Sequence, residues 1–377
     1  MWLAVLLRNL IRMPPALPGR RVPRARRRGK ARAAVVSGLL AALALHAAMI
    51  VAVDSVRPQW RDPEFYHRYQ KLAAALRANR RTQAHSVVAV LGSSRPQMGF
   101  SPDHAADGYG PGAPLIFNLS QSGCHPIGER LNLQRILNAP VRPDFVLIEV
   151  WASGLARRTK REEQIPMSRL SLSDLATVSP YLYDEAAARR QWWQIQASPW
   201  WTYRMNVLAH QGLESLSPAE RQQNFLWSDM RPNGWSPYYP PVWSKEEQER
   251  RQALAMTWFA EPLGEFHLDP NAESAHRDLL TACRTHGLKA ALYLMPESPT
   301  FRTLYSADAK REVRDYLTRL SDEFGVPVCD ASEWIADDAA YMDGYHLLGP
   351  GAEAFSRRLG RDLLRGWVPP NGHSRGE

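Results

Sequence analysis

Two short stretches hold residue types that can do covalent chemistry. The first is 91-LGSSRPQMGF-100, where an apolar run ends in Gly92 and Ser93 and Ser94 follow at once. A nucleophilic serine needs such a place. Glycine allows a tight turn off a strand, so that the hydroxyl stands at the sheet edge. Free backbone N–H groups of the next turn can then face a developing oxyanion. The same Gly-Ser-Ser is also ordinary turn chemistry. The second stretch is 343-DGYHLLGPGAEAFSRRL-359. Asp343 and His346 are three apart. That spacing can bring the carboxylate onto the imidazole, fix its tautomer and leave the other nitrogen free as a base. The plain alternative is a turn-capping Asp343 and a surface His346. Neither stretch is informative alone; together they are, if the fold brings them to one edge.

The flanking pattern supplies such an edge. Apolar, β-branched runs at 86–91, 115–119, 145–150, 289–295 and 326–329 read as strands. Helical patterns at 128–138, 271–286, 307–324 and 350–365 fall between and after them. Strands alternating with helices predict an α/β fold: a parallel sheet covered on both faces in three layers. Sheets of this kind bind ligands at the carboxyl ends of their strands. Ser94 follows the first strand and His346 precedes the last helix, so both can reach that edge. The α/β domain is expected over 85–366, with a tail over 367–377. Residues 155–265 break the rhythm and hold eight of the thirteen Trp, among them Trp192, Trp193, Trp200, Trp201 and Trp258. They read as an insertion folding back as a cap. Its tryptophans would form the cap's own core, stack on sugars or lie at a membrane interface.

The net charge is +9, but residues 1–32 hold ten Arg and Lys and no acid, which leaves −1 for the other 345 residues. A near-neutral body has no broad electrostatic footprint for nucleic acid, and no nucleic-acid partner is expected. The basic arm has a local explanation. Ala33 to Val53 is a run of 21 residues without a formal charge, enough for a helix to cross a hydrocarbon core of about 30 Å. Positive charge in front of it predicts a single-pass anchor with a cytoplasmic N-terminus and the main domain outside the cytoplasm. Residues 54–84 then read as a polar helical stalk.

With the elements in place, the two stretches resemble the blocks of the SGNH/GDSL hydrolase superfamily. 92-GSS-94 is similar to its Gly-Asp-Ser nucleophile block, with Ser93 where the family has Asp and Ser94 at the nucleophile position. 343-DGYH-346 matches its C-terminal Asp-x-x-His block. The resemblance implies a Ser94, His346 and Asp343 triad on an SGNH/flavodoxin-like sheet. 118-NLSQSG-123 resembles the intermediate block, which implies Gly123 as an oxyanion donor beside Ser94. The third block departs: 148-IEVWASG-154 has no Asn, and Ser153 is the substitute donor at hand. One such donor is worth about 10²–10³ in rate elsewhere. The architecture resembles membrane-anchored SGNH-like proteins linked to O-acylation of envelope polysaccharides. That implies an esterase or O-acyltransferase acting on ester-bearing envelope glycan or lipid. The rival from another class is a non-catalytic envelope protein that keeps the fold for binding or assembly.

The remaining candidates are smaller. Arg95 and Arg302 read as contacts for an anionic substrate or as solvated surface groups, Ser93 and Ser153 as further substrate contacts, and Glu149 as pairing with an Arg or hydrogen-bonding the site. Cys124, Cys283 and Cys329 are widely spaced and fit neither a metal site nor a disulfide network. No metal and no organic cofactor is required by the expected chemistry.

Overall fold

A computed structural model of the chain describes residues 24–82, 86–138, 142–157, 165–212, 214, 216–217, 229–239 and 244–369. Residues 1–23 of the basic arm, 370–377 of the tail, Trp227 and Trp243 lie outside them. The chain divides into two compact units, Met1–Met49 and Ile50–Glu377.

Helix α1, Arg24–Val51, runs on as a π-turn over Ala52–Val56. The stretch Gly29–Val56 is 28 residues, with 6% of its apolar window buried. At 1.5 Å per residue it is about 42 Å long, more than a hydrocarbon core needs. This one helix is long and apolar enough to cross a membrane, and it contains the expected span 33–53.

The second unit is built in chain order from α2 (Pro63–Thr82), β1 (Val87–Leu91), α3 (Ser94–Gly99), α4 (Pro102–Ala106), β2 (Leu115–Asn118), α5 (Pro126–Leu137) and β3 (Phe145–Glu149). There follow α6 (Ala152–Leu155), α7 (Leu172–Val178), α8 (Glu185–Gln196), α9 (Pro199–Gln211), α10 (Lys245–Gly264) and α11 (Pro270–Thr285). The chain closes with β4 (Lys289–Leu294), α12 (Ala307–Phe324), β5 (Val328–Asp330) and α13 (Gly349–Leu359). The five strands form one all-parallel sheet in the order β2-β1-β3-β4-β5. Each expected strand is present within two residues of its reading. Strand order reverses between β1 and β3, which is where doubly wound sheets open a crevice.

Alternation along the strands feeds two cores. Val87, Ala89, Leu91, Val146, Ile148, Ala290 and Leu292 face one, under α2, α5, α11 and α12. Val88, Val90, Phe145, Leu147, Ala291 and Tyr293 face the other, under α4 and α13. Burial on both faces explains why the strands read as continuous apolar runs. Between β3 and β4, α7 and α8 form a smaller core with Ile127 and Leu131 of α5 and Ala275 of α11. Of the tryptophans there, Trp192 and Trp235 are buried, whereas Trp193, Trp200, Trp201 and Trp258 are exposed. A purely internal role therefore fits only two of the six described.

The stalk reading is corrected. α2 is not a tether. Its Phe65, Leu72 and Leu76 are buried in the first core beside β1 and α5, and Arg68 is buried with its guanidinium on Gly234 O, Glu64 O and Ser236 Oγ. The helix looks polar in sequence because its inward face includes charged groups that find partners only in the fold. The globular unit therefore begins before residue 85. Leu72→Ala should lower its stability by about 2–5 kcal/mol, as for other fully buried leucines, in thermal unfolding in detergent; a stalk residue would change the midpoint little.

Candidate active site

The turn that carries Ser94 is built by exclusion. Gly92 ends β1 where a Cβ would meet Pro96 Cγ at 2.6 Å and Glu149 Cβ at 2.8 Å. Ser93 caps α3: its Oγ accepts the Arg95 N–H at 3.1 Å, and its own N–H donates to Glu149 Oε2 at 2.7 Å. From Ser86 to Pro102 every residue is buried except Ser94, which is partly exposed. Ser94 opens α3, so its backbone N–H has no partner within the helix.

The other half comes from the loop before α13. Asp343 Oδ1 accepts the backbone N–H groups of Tyr345 and His346 at 3.2 and 2.9 Å, which winds the loop around the carboxylate. Its Oδ2 lies 2.8 Å from His346 Nδ1, and His346 Nε2 lies 2.7 Å from Ser94 Oγ. With Nδ1–H given to Asp343, Nε2 is left to accept the serine proton. Asp343 is 8% and His346 7% exposed. Burial alone would raise the Asp343 carboxyl; electrostatic attraction to His346 and the hydrogen bonds from His346 and Tyr345 outweigh it and hold it below its ordinary value. Tyr345 stacks on Trp151 at 5.6 Å and lies 4.1 Å from the His346 ring, with Phe259 and Phe301 around it.

The structure thus brings Ser94, His346 and Asp343 together and separates the two serines. Ser93 is a buried cap at 2% exposure, not a substrate contact. Arg95 is corrected as well. It is 1% exposed, and its guanidinium lies 3.5 Å from Glu149 and 3.3 Å from Glu297. It also donates to the carbonyls of Met295, Pro296 and Tyr345 and covers the Trp151 ring. These partners and its burial place it in a structural ion-pair cluster. Burial raises the Glu149 carboxyl despite Arg95 and the Ser93 N–H, and raises Glu297 in the same way. Glu149 therefore has both of its expected partners, the Arg and the turn that carries Ser94.

Arg302 is half-buried on Ser332 O and Glu333. It lines a cavity of ≈ 470 Å³ with Trp151, Glu297 and Tyr305, and neither Ser94 nor His346 lines that cavity. Ser153 is fully buried, and its Oγ has no hydrogen-bond partner among the described residues. Gly123 stands exposed in a turn at φ +68°, a conformation that favours glycine. Its loop is tied to the turn before Ser94 by Gln121 N–H on Gly92 O at 2.9 Å. Cys124 is buried, and burial pushes its thiol well up, which removes thiolate character at that position. Among the described residues no group of three His, Cys, Asp or Glu is placed to hold a metal ion.

Two carboxylates escaped the sequence reading. Asp62 accepts from Gln121 Nε2 at 2.6 Å, and Glu64 from the Ser122 N–H at 3.0 Å and from Gln97 Nε2 at 3.3 Å. Arg135 and Arg169 pair with them from the other side. These residues clamp the loop carrying Gly123 onto α3. In sequence, 62-DPE-64 reads as a helix start and nothing more.

Arg95→Met leaves two buried carboxyls without their cation. It should cost about 3–5 kcal/mol at mildly alkaline pH. Both carboxyls already titrate above the ordinary glutamate value and would rise further. The cost is full above those raised values and is relieved as pH falls through them. Unfolding of both proteins across pH should show the gap narrowing in acid; a gap that is small or independent of pH contradicts this role.

No protein-family model matches the chain, and no curated protein matches it, so the residues and their geometry alone carry the functional reading.

Proposed function

We propose that the protein is a membrane-anchored serine acyl-transfer enzyme of SGNH type, acting on ester-bearing glycan or lipid of the cell envelope. The observation that carries this is the chain of two hydrogen bonds from Ser94 Oγ to His346 to Asp343, at 2.7 and 2.8 Å. It ends on the one partly exposed residue of a buried turn. Ser94 Oγ attacks the ester carbonyl while His346 Nε2 takes its proton and Asp343 holds the ring. The Ser94 and Gly123 N–H groups receive the oxyanion. His346 then gives the proton to the departing alcohol. Water or a sugar hydroxyl, deprotonated by the same nitrogen, attacks the acyl-serine and releases Ser94. Water makes the protein an esterase, and a glycan hydroxyl makes it a transferase.

In this reading residues 155–265 are a Trp-rich insertion in a three-layer SGNH-like domain. Two contacts support a capping role for part of it: Tyr238 O accepts the Gly349 N–H beside the His346 loop, and Phe259 packs on Tyr345. The basic arm and α1 support an N-terminus in the cytoplasm and a domain outside it, periplasmic in a bacterium. Reporters fused after residue 54 should be active only outside the cytoplasm.

A second reading, a non-catalytic binding or assembly protein, is favoured by one feature. The segment after β3 offers no Asn amide, and Ser153 in its place is fully buried. Turnover decides. Ser94→Ala and His346→Ala should each lower hydrolysis of p-nitrophenyl acetate by roughly 10⁴-fold or more, with thermal unfolding unchanged. Absence of turnover in the intact protein, or full activity in Ser94→Ala, contradicts the enzyme reading.

A further inference from the structure

α9 carries an apolar stripe that faces outward. Trp201, Met205 and Leu208 are spaced four and three apart on one face. Trp201 is 67% and Leu208 38% exposed, and the adjacent Trp200 is 49% exposed. Single exposed apolar residues need no explanation, but a contiguous stripe with two indoles does. Arg204 lies on the same face, its guanidinium 3.5 Å from the centre of the Trp201 ring.

The opposite face of α9 fixes where this stripe stands. Tyr203 and Ala209 are buried. Asn206 Nδ2 donates to Trp60 O at 2.8 Å, and His210 Nε2 meets His67 Nε2 at 2.7 Å. Trp60 belongs to the short turn Pro58–Trp60, which packs both on the last turn of the apolar helix, Ala52–Val56, and on α9. Trp60 stands seven positions past Val53, where the apolar run ends. At helical rise that is about 10 Å of chain, comparable with the headgroup layer of a bilayer.

We infer that α9 lies in the membrane–water interface, with Trp200, Trp201, Met205 and Leu208 among the lipid headgroups. The occupant of the stripe is the bilayer that receives the N-terminal helix, so the inference rests on the anchor reading. The chemistry fits. Indole rings prefer that layer because they are apolar with one polar N–H, and an adjacent Arg faces lipid phosphate. α9 thereby holds the globular unit against the bilayer. A substrate carried by lipid would meet Ser94 at a fixed height.

The test uses the full chain in phosphatidylcholine–phosphatidylglycerol nanodiscs. Trp201→Cys and, as control, Trp258→Cys on α10, which is 62% exposed, carry an environment-sensitive fluorophore. The native cysteines, buried or half-buried, set the background. The label at 201 should be blue-shifted, quenched by brominated lipid and shielded from iodide, and the label at 258 should be open to iodide. Equal iodide quenching at both positions, in a chain that resists carbonate extraction, overturns the inference and leaves the anchor standing. Shielding at 201 that needs an added soluble oligosaccharide overturns it in favour of a glycan platform. Release by carbonate overturns the anchor reading and the inference together.

Discussion

The guanidinium of Arg95 is the fixed point of the site. It sits directly after Ser94, is buried, and touches Glu149 at the end of β3, the carbonyls of Met295 and Pro296 and the Glu297 carboxylate just past β4, and the carbonyl of Tyr345 beside His346. A cation in such a place is costly unless every donor is matched. The matching groups come from three separate stretches of chain. Their positions relative to the turn that carries Ser94 are therefore tied to one another. The Ser94–His346 hydrogen bond, which spans 252 positions of sequence, depends on that tie and on the parallel sheet that delivers all strand ends to one edge.

Much of this was legible in the sequence. The five strands are continuous apolar runs because both faces of the sheet are covered, and short runs bounded by Gly or Pro leave little else to be. Ser94, Asp343 and His346 could be named because each sits at a punctuated junction, a glycine after a strand or a proline-led helix start. What the sequence hid were charged residues inside the fold. Arg95 looked like a surface group because arginine usually is one. Asp62 and Glu64 looked like helix-start residues because they are those too. α2 looked like a stalk because its inward face includes Arg68. A buried ion pair has no periodicity, and its partners lie far apart in sequence, so only packing reveals it.

The Asp62 and Glu64 clamp connects the site to the start of the globular unit. α2 begins seven positions past Val56, and Asp62 directly before it holds the loop with Gly123 through Gln121. α9 packs on the turn just before α2. The residues that open the globular unit are therefore those that brace the loop carrying Gly123.

The most direct test of the account is covalent. A fluorophosphonate reacts with a serine only where a neighbouring base and an oxyanion site activate it. On the intact chain it should modify one residue, and peptide mass spectrometry should place the adduct on Ser94, with none formed in His346→Ala. An adduct on Ser93, or an unmodified Ser94 in folded protein, would contradict the assignment of the nucleophile and of the chemistry built on it.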